Sequence, residues 1–88
     1  MNWVDLTNVR LKKHWFIDMS YRERIGKELR RIREEKKLSL REVGAIAGIT
    51  FQSVNKIESG KYSVTVDTLE KICNAIGAEF IIKKRESE

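Results

Sequence analysis

The chain offers few side chains of the kinds that catalyse reactions or bind metals. Its single histidine, His14, and its single cysteine, Cys73, cannot build a multidentate zinc site or an intramolecular disulfide. No nucleophile stands in a motif with His14, and neither a carboxylate pair in an evident pocket nor a phosphate-cradling glycine loop is present. The sequence therefore predicts that the protein is not an enzyme and uses no cofactor, and that Cys73 is a small buried thiol.

Charge and amide chemistry point instead to a polyanionic partner. The net charge is +5, and twelve lysines and arginines lie in residues 10–41 against five acidic residues. The same excess also suits a solvated helix face, so it needs a motif beside it. Gln52 carries an amide that can pair bidentately with adenine N6 and N7.

Size and hydropathy narrow the class further. With 88 residues the chain is long enough for one domain and gains from a second subunit. No run of about 18 apolar residues and no secretion signal occur, which predicts a soluble cytoplasmic protein without a membrane partner.

Two capping boxes predict the first two helices. Ser20 and Glu23 open a helix that runs to about Lys36, and Ser39 and Glu42 open a short second helix that ends at Gly48. On the basic first helix, glutamates interleave with the lysines and arginines, so most of these basic residues should be solvated or paired within the helix. The predicted inward residues are Tyr21, Ile25, Leu29 and Ile32 in the first helix and Val43, Ile46 and Ala47 in the second.

Threonines and glycines delimit two more helices. Thr50 caps a third helix that ends at Gly60, and Thr65 opens a fourth that ends at Gly77. The predicted inward residues are Val54 and Ile57 in the third helix and Val66, Leu69, Ile72, Cys73 and Ile76 in the fourth. The short β-branched and aromatic segment 79–83 then predicts a strand.

The second and third helices are too short to bury an apolar face alone. The turn Gly48-Ile49-Thr50 sends the third helix across the second at a steep angle, and Gly44 lets the two approach. This arrangement is a helix-turn-helix from about Ser39 to Glu58.

A set of spaced residues resembles the lambda-repressor-like, Cro/XRE-type helix-turn-helix family over about residues 25–77. These residues are Arg33, Leu38, Ser39, Glu42, Val43, Gly44, Gly48, Ile49, Thr50, Val54, Ile57, Glu58, Gly60, Leu69, Ile72, Ala75, Ile76 and Gly77. The resemblance implies a mostly α, compact domain of four to five helices, here with a short C-terminal β-strand. It divides the chain into an N-terminal arm of uncertain structure (1–19), the helix-turn-helix domain (20–77), and a strand with a polar tail (78–88).

In this family the third helix lies in the major groove of double-stranded DNA. With Val54 and Ile57 inward, the predicted base-reading face comprises Phe51, Gln52, Ser53, Asn55 and Lys56. Gln52 is the leading candidate. Phe51, where the family more often has a polar residue, either lies against thymine methyl groups or turns into the core.

Phosphate contacts are expected from the start of the second helix and from the turns on either side of the third. The predicted residues are Ser39, Arg41, Thr50, Lys61, Tyr62 and Ser63. Leu40 stands where the family often has a phosphate-binding glutamine, so one anchor is missing. The resemblance also implies an internal, structural ion pair between Arg33 and Glu58.

The predicted function is a sequence-specific transcriptional regulator, interpreted as a homodimeric repressor because no separate effector domain is evident. Phe80, Ile81 and Ile82 need a partner strand, either from the N-terminal arm or, as we favour, from a second subunit. The operator would then be an inverted repeat. The alternative is an antitoxin of the HipB-like kind that binds a toxin protein and represses its own promoter. Trp3 and Trp15 should pack on the core or on a second subunit.

Overall fold

Four α-helices follow one another in the computed structural model, which describes residues 19–84. They are α1 (Tyr21–Glu35), α2 (Leu40–Ala47), α3 (Phe51–Ser59) and α4 (Val66–Ile76). Helices α2 and α3 pack on each other, α1 packs mainly on α3, α4 packs mainly on α2, and α1 and α4 also touch. Residues 1–18 lie outside the described residues. They make up the predicted N-terminal arm except for its last residue, and they include both tryptophans.

Local side-chain chemistry sets the start of each helix. The Ser39 hydroxyl accepts a hydrogen bond from the Glu42 amide at 3.0 Å, and the Ser39 amide donates to the Glu42 carboxylate at 2.7 Å. Ser20 and Glu23 form the same reciprocal box at α1, while Thr50 and Thr65 cap α3 and α4. The capping-box and threonine predictions are confirmed.

Three of the four helices end at a glycine, and a lysine takes the left-handed conformation after the first. Gly48, Gly60 and Gly77 end α2, α3 and α4 with φ of 78°, 77° and 73°, as the sequence predicts. After α1, however, Lys37 adopts the left-handed conformation with φ of 60°. The amide of the following residue, Leu38, donates to the Arg33 carbonyl at 3.1 Å, which closes the end of α1.

The core lies where the four helices meet. Its buried apolar residues are Leu29, Val43, Ala47, Val54, Ile57, Leu69, Ile72, Cys73 and Ile76. Burial raises the pKa of the Cys73 thiol, because the apolar surroundings disfavour the thiolate. The thiol is therefore buried and unreactive, as predicted.

Three apolar residues predicted to face inward lie at the surface. Tyr21 is 66% exposed and Val66 is 80% exposed. Each is the first residue of its helix, at an end that lies at the edge of the core. Ile46 is 63% exposed because the buried side of α2 is formed by Val43, Gly44 and Ala47, and Ile46 points roughly 100° away from it.

Two glycines allow backbone segments to touch. A methyl group on Gly26 would lie 2.6 Å from the Glu58 carbonyl oxygen, so this glycine sets the close packing of α1 on α3. A methyl group on Gly44 would lie 2.7 Å from the Ile49 carbonyl oxygen, which explains how the turn folds back against α2. The sequence prediction identified Gly44 and missed Gly26.

The predicted strand over residues 79–83 is wrong for the single chain, because residues 19–84 contain no strand. The helical core presents no sheet edge with which this segment could pair. Ala78 still packs on the core and donates its amide to the Cys73 carbonyl at 2.8 Å. Beyond it Phe80, Ile81 and Ile82 are 55%, 55% and 87% exposed. None of the helices within the described part combines the length and apolar character needed to cross a bilayer.

Candidate nucleic-acid interface

Helix α3 has a buried side and an exposed side. Val54, Ile57 and Glu58 are buried, whereas Gln52, Asn55 and Lys56 on the other side are exposed. Phe51 and Ser53 are half-buried at the margins between them. The structure thus brings the five predicted base-reading residues together on one surface of α3, which we call the outer face.

The first turn of α3 is held by its threonine cap. The Ser53 amide donates to the Thr50 hydroxyl oxygen at 3.1 Å, and the Thr50 hydroxyl donates to Ser53 Oγ at 2.9 Å. The Thr50 hydroxyl is therefore occupied by the cap, while the amides of Phe51 and Gln52 at the start of α3 have no partner within the helix. Such amides suit an anion.

Phe51 meets Arg41 across the helix-turn-helix. The guanidinium carbon of Arg41, in the first turn of α2, lies 4.1 Å from the centroid of the Phe51 ring. The ring is half-buried and stands outside the buried core, so the structure does not place it inward as one of the two sequence alternatives had it. No sequence pattern pointed to this contact, because the two residues lie in different helices.

A second cation and aromatic ring meet at the other end of α3. The Lys56 ammonium lies 5.3 Å from the centroid of the Tyr62 ring. A shallow groove of about 280 Å³ runs beside them, lined in part by Ser53, Lys56, Tyr62 and Ser63. Predicted base-reading and phosphate residues therefore share one continuous surface.

Two further predicted phosphate residues lie at the protein surface. Ser39 and Lys61 are exposed at the start of α2 and in the turn after α3. Among residues 19–84 the Ser39 hydroxyl takes part only in the capping hydrogen bond, as acceptor, so within that range its own hydrogen is available to donate. Leu40, where the family often has glutamine, is half-buried and packs against the core. It has no polar atom to offer from its side chain.

Arg33 of α1 and Glu58 of α3 form a buried ion pair between the two helices. Arg33 Nε donates to Glu58 Oε2 at 2.7 Å, and Nη2 donates to Oε1 at 3.0 Å. The remaining Nη1 donates to the Leu38 carbonyl at 2.9 Å. The hydrogen bonds to Glu58 raise the pKa of Arg33, so the guanidinium stays charged. The pair joins α1, α3 and the loop before α2.

Other basic residues are tied up within α1. Arg30 pairs with Glu34 at 3.0 Å, and Arg31 pairs with Glu28 at 2.9 Å and Glu35 at 2.7 Å. Arg30 and Arg31 are therefore paired within the helix, one of the two states predicted for its basic residues. The positive charge of α1 is therefore a poor guide to the binding surface.

Comparison with known proteins agrees with this geometry. A helix-turn-helix family model, HTH_3, matches residues 29–81. The chain belongs to the Cro/XRE-type helix-turn-helix family. An uncharacterized HTH-type transcriptional regulator of Sinorhizobium fredii, y4dJ, is 33% identical over 63 residues, which cover 72% of this chain and 82% of that protein.

Solved structures of the same architecture include another family relative. The clp gene regulator ClgR from Corynebacterium glutamicum is 31% identical with a TM-score of 0.63, covering 66% of this chain and 75% of that one. A second ClgR structure is 32% identical with a TM-score of 0.62, covering 65% and 61%.

A further relative is much longer than this chain. A glutamine–fructose-6-phosphate aminotransferase of Methanocaldococcus jannaschii is 31% identical over 78 residues, 88% of this chain. The chain spans only 7% of that enzyme, so the similarity does not indicate that this chain has the enzyme's activity.

Proposed function

We propose that this family member is a sequence-specific, duplex-DNA-binding transcriptional regulator that places α3 in the major groove and acts without catalysis. The observation that carries the proposal is the outer face of α3. There the Gln52 and Asn55 amides are exposed next to Lys56, on a helix whose other side is fixed in the core. Directed amides on a rigid helix are what base readout requires.

Base readout is assigned to Phe51, Gln52, Ser53, Asn55 and Lys56. Gln52 lies in the first turn of α3, the part of a recognition helix that approaches base edges most closely. Its amide pairs bidentately with adenine N6 and N7. Phe51, which is partly exposed beside Gln52, contacts a thymine methyl group.

Phosphate contacts surround that readout. Ser39, before α2, and Lys61, after α3, each contact the phosphates of a DNA strand. Tyr62 and Ser63, in the loop after α3, add further phosphate contacts. Thr50 contributes through the position of its backbone, because its hydroxyl already caps α3. These contacts set the orientation of the domain and make binding dependent on salt.

A homodimer is the proposed active form. Phe80, Ile81 and Ile82 are adjacent and exposed, and the described core offers nothing that covers them. A second copy can bury the same three residues about a two-fold axis. Two copies of α3 would then lie about one DNA turn apart, ~34 to 36 Å, on an inverted repeat.

The dimer is tested by sedimentation of the full chain at micromolar concentration. We expect the combined Phe80→Ser, Ile81→Ser and Ile82→Ser variant to be monomeric. The matched control is Val66→Ser, which removes another exposed apolar side chain from the far end of α4. A parent that sediments as a monomer, or a triple variant that stays dimeric, would place the interface elsewhere.

Repression is the proposed outcome, because a dimer bound across a promoter excludes other proteins from the same DNA. The alternative of an antitoxin rested on the predicted C-terminal strand. Since residues 78–84 form no strand in the described chain, no observation favours toxin binding over DNA binding alone.

The function is tested by selecting duplexes from a random pool and measuring affinity against salt. We expect one enriched inverted-repeat sequence, and log K against log salt should slope by about −0.9 for each phosphate neutralised. No enrichment, or affinity independent of salt, would refute the proposal.

A further inference from the structure

The contact between Arg41 and Phe51 changes the role that Arg41 can have. From sequence alone Arg41 is a phosphate residue, because it lies in the first turn of α2. Its guanidinium, however, reaches across to the first residue of α3 and lies 4.1 Å from the Phe51 ring centroid. The charge is thus delivered to the end of α3 that approaches the bases, immediately beside Gln52.

The guanidinium is also free to bind. Within residues 19–84, Arg30, Arg31 and Arg33 all pair with glutamates. Arg41 is exposed, and in the same range no carboxylate pairs with it and no acceptor takes its N–H groups. Its five donors are therefore available to a ligand.

The contact with the Phe51 ring also restricts where those donors can lie. A guanidinium on an aromatic ring is attracted by the electrons of the ring face and loses much of its rotational freedom. A guanine edge presents O6 and N7 side by side, and two parallel N–H donors must meet it in one plane. The contact therefore holds Arg41 beside the predicted base-reading residues, where two of its N–H donors can meet a guanine edge.

We propose that Arg41 and Phe51 form one base-reading unit in which the stacked guanidinium recognises a guanine adjacent to the base pair read by Gln52. This inference rests on the proposed DNA-binding function. It makes Arg41 a specificity-determining residue contributed by α2, outside the recognition helix itself.

The test compares variants on the selected duplex and on duplexes changed at one base pair at a time. Arg41→Ala should abolish discrimination of about 10- to 100-fold at one G·C pair and leave the preferences at other pairs in place. Phe51→Leu keeps the Arg41 charge and an apolar side chain but removes the ring, and should weaken the preference at that same pair. If the two residues act as one unit, the double variant should lose no more discrimination at that G·C pair than Arg41→Ala alone.

Two controls separate the outcomes. Lys61→Ala also removes one positive charge, and it should weaken every duplex by a similar factor, as loss of a phosphate contact does. Arg30→Ala removes a charge already paired with Glu34 on α1 and should change no preference. Since Arg41 is exposed, its variant should fold like the parent, which a thermal melt checks.

Each contrary result has a distinct form. If Arg41→Ala weakens all duplexes equally, Arg41 is a phosphate contact and the inference is wrong while the proposed function stands. If it changes nothing, the stack has no part in binding. If the parent itself enriches no duplex, the proposed function fails and this inference falls with it.

Discussion

The two sides of α3 use polar chemistry for opposite purposes. On the buried side, the Glu58 carboxylate is satisfied by two hydrogen bonds from Arg33. On the outer face, the Gln52 and Asn55 amides make no hydrogen bond to another side chain in the described part of the chain. Glu58 thus stabilises the fold, whereas Gln52 and Asn55 are available to a binding partner.

This difference teaches how a nine-residue helix can be both anchored and exposed. The anchor comes from two apolar residues, Val54 and Ile57, from the ion pair and from the close approach of α1 at Gly26. Gln52 and Asn55 on the outer face take no part in that anchoring. Substitutions on the two sides should consequently separate stability from binding.

The largest effect on stability is expected from Glu58→Ala. It leaves the Arg33 charge buried without its partner, which should lower the free energy of unfolding by about 3 to 5 kcal/mol. Denaturant melts measure the loss. Glu28→Ala is the control, because it breaks an exposed pair with Arg31 and should cost at most about 1 kcal/mol. Equal costs for the two variants would mean that burial of the pair has no importance.

Gly26→Ala should have the next largest effect. Its new methyl group would meet the carbonyl oxygens of Glu58 and Ile57 at 2.6 and 2.7 Å, so α1 and α3 must separate. We expect a loss of about 1 to 3 kcal/mol in the free energy of unfolding. Gly48→Ala meets no atom within 4 Å and should lose only the cost of its left-handed backbone, about 1 kcal/mol. A Gly26→Ala variant as stable as the parent would show that the helices can move apart without cost.

Lys37→Gly should stabilise the protein. Lys37 has φ of 60°, a conformation that glycine adopts without steric cost, and the position lies at the end of α1. We expect a gain of about 0.5 to 1 kcal/mol in the free energy of unfolding, measured by denaturant melts. A loss of stability would contradict this account of how α1 ends.

The smallest effect on stability is expected on the outer face. Asn55→Ala removes an exposed amide and should change the free energy of unfolding by no more than about 0.5 kcal/mol. The same melts decide the point. A loss comparable to that of Gly26→Ala would show that Asn55 supports the fold and would remove the contrast between the two sides.

Helix boundaries could be predicted well because short-range chemistry determines them. The capping box of Ser39 and Glu42 lies within four residues of the sequence. Thr50 and Gly60 each mark one end of α3 by their own side-chain or backbone chemistry. The inward residues Val54 and Ile57 followed from helical spacing in the same way. Where the pattern failed, as at Ile46, neighbouring elements decided which side of a helix was covered.

The contacts between helices could not be predicted in the same way. Gly26 reads as an ordinary helix residue until α3 is placed on it, and Arg41 and Phe51 lie ten positions apart in different helices. The strand over 79–83 was predicted from composition, yet pairing depends on a partner that the described chain does not supply. The Arg33 and Glu58 pair was expected only through the family resemblance.

The central claim is that the outer face of α3 reads base sequence. Its most direct test is to measure the affinity of the parent, Gln52→Ala and Lys61→Ala for the selected duplex and for its single-base-pair variants. Gln52→Ala should cost about 1 to 3 kcal/mol on the selected duplex and flatten the preference at one base pair. Lys61→Ala should weaken all duplexes alike. If both variants weaken every duplex by the same factor, Gln52 does not read a base and the claim is wrong.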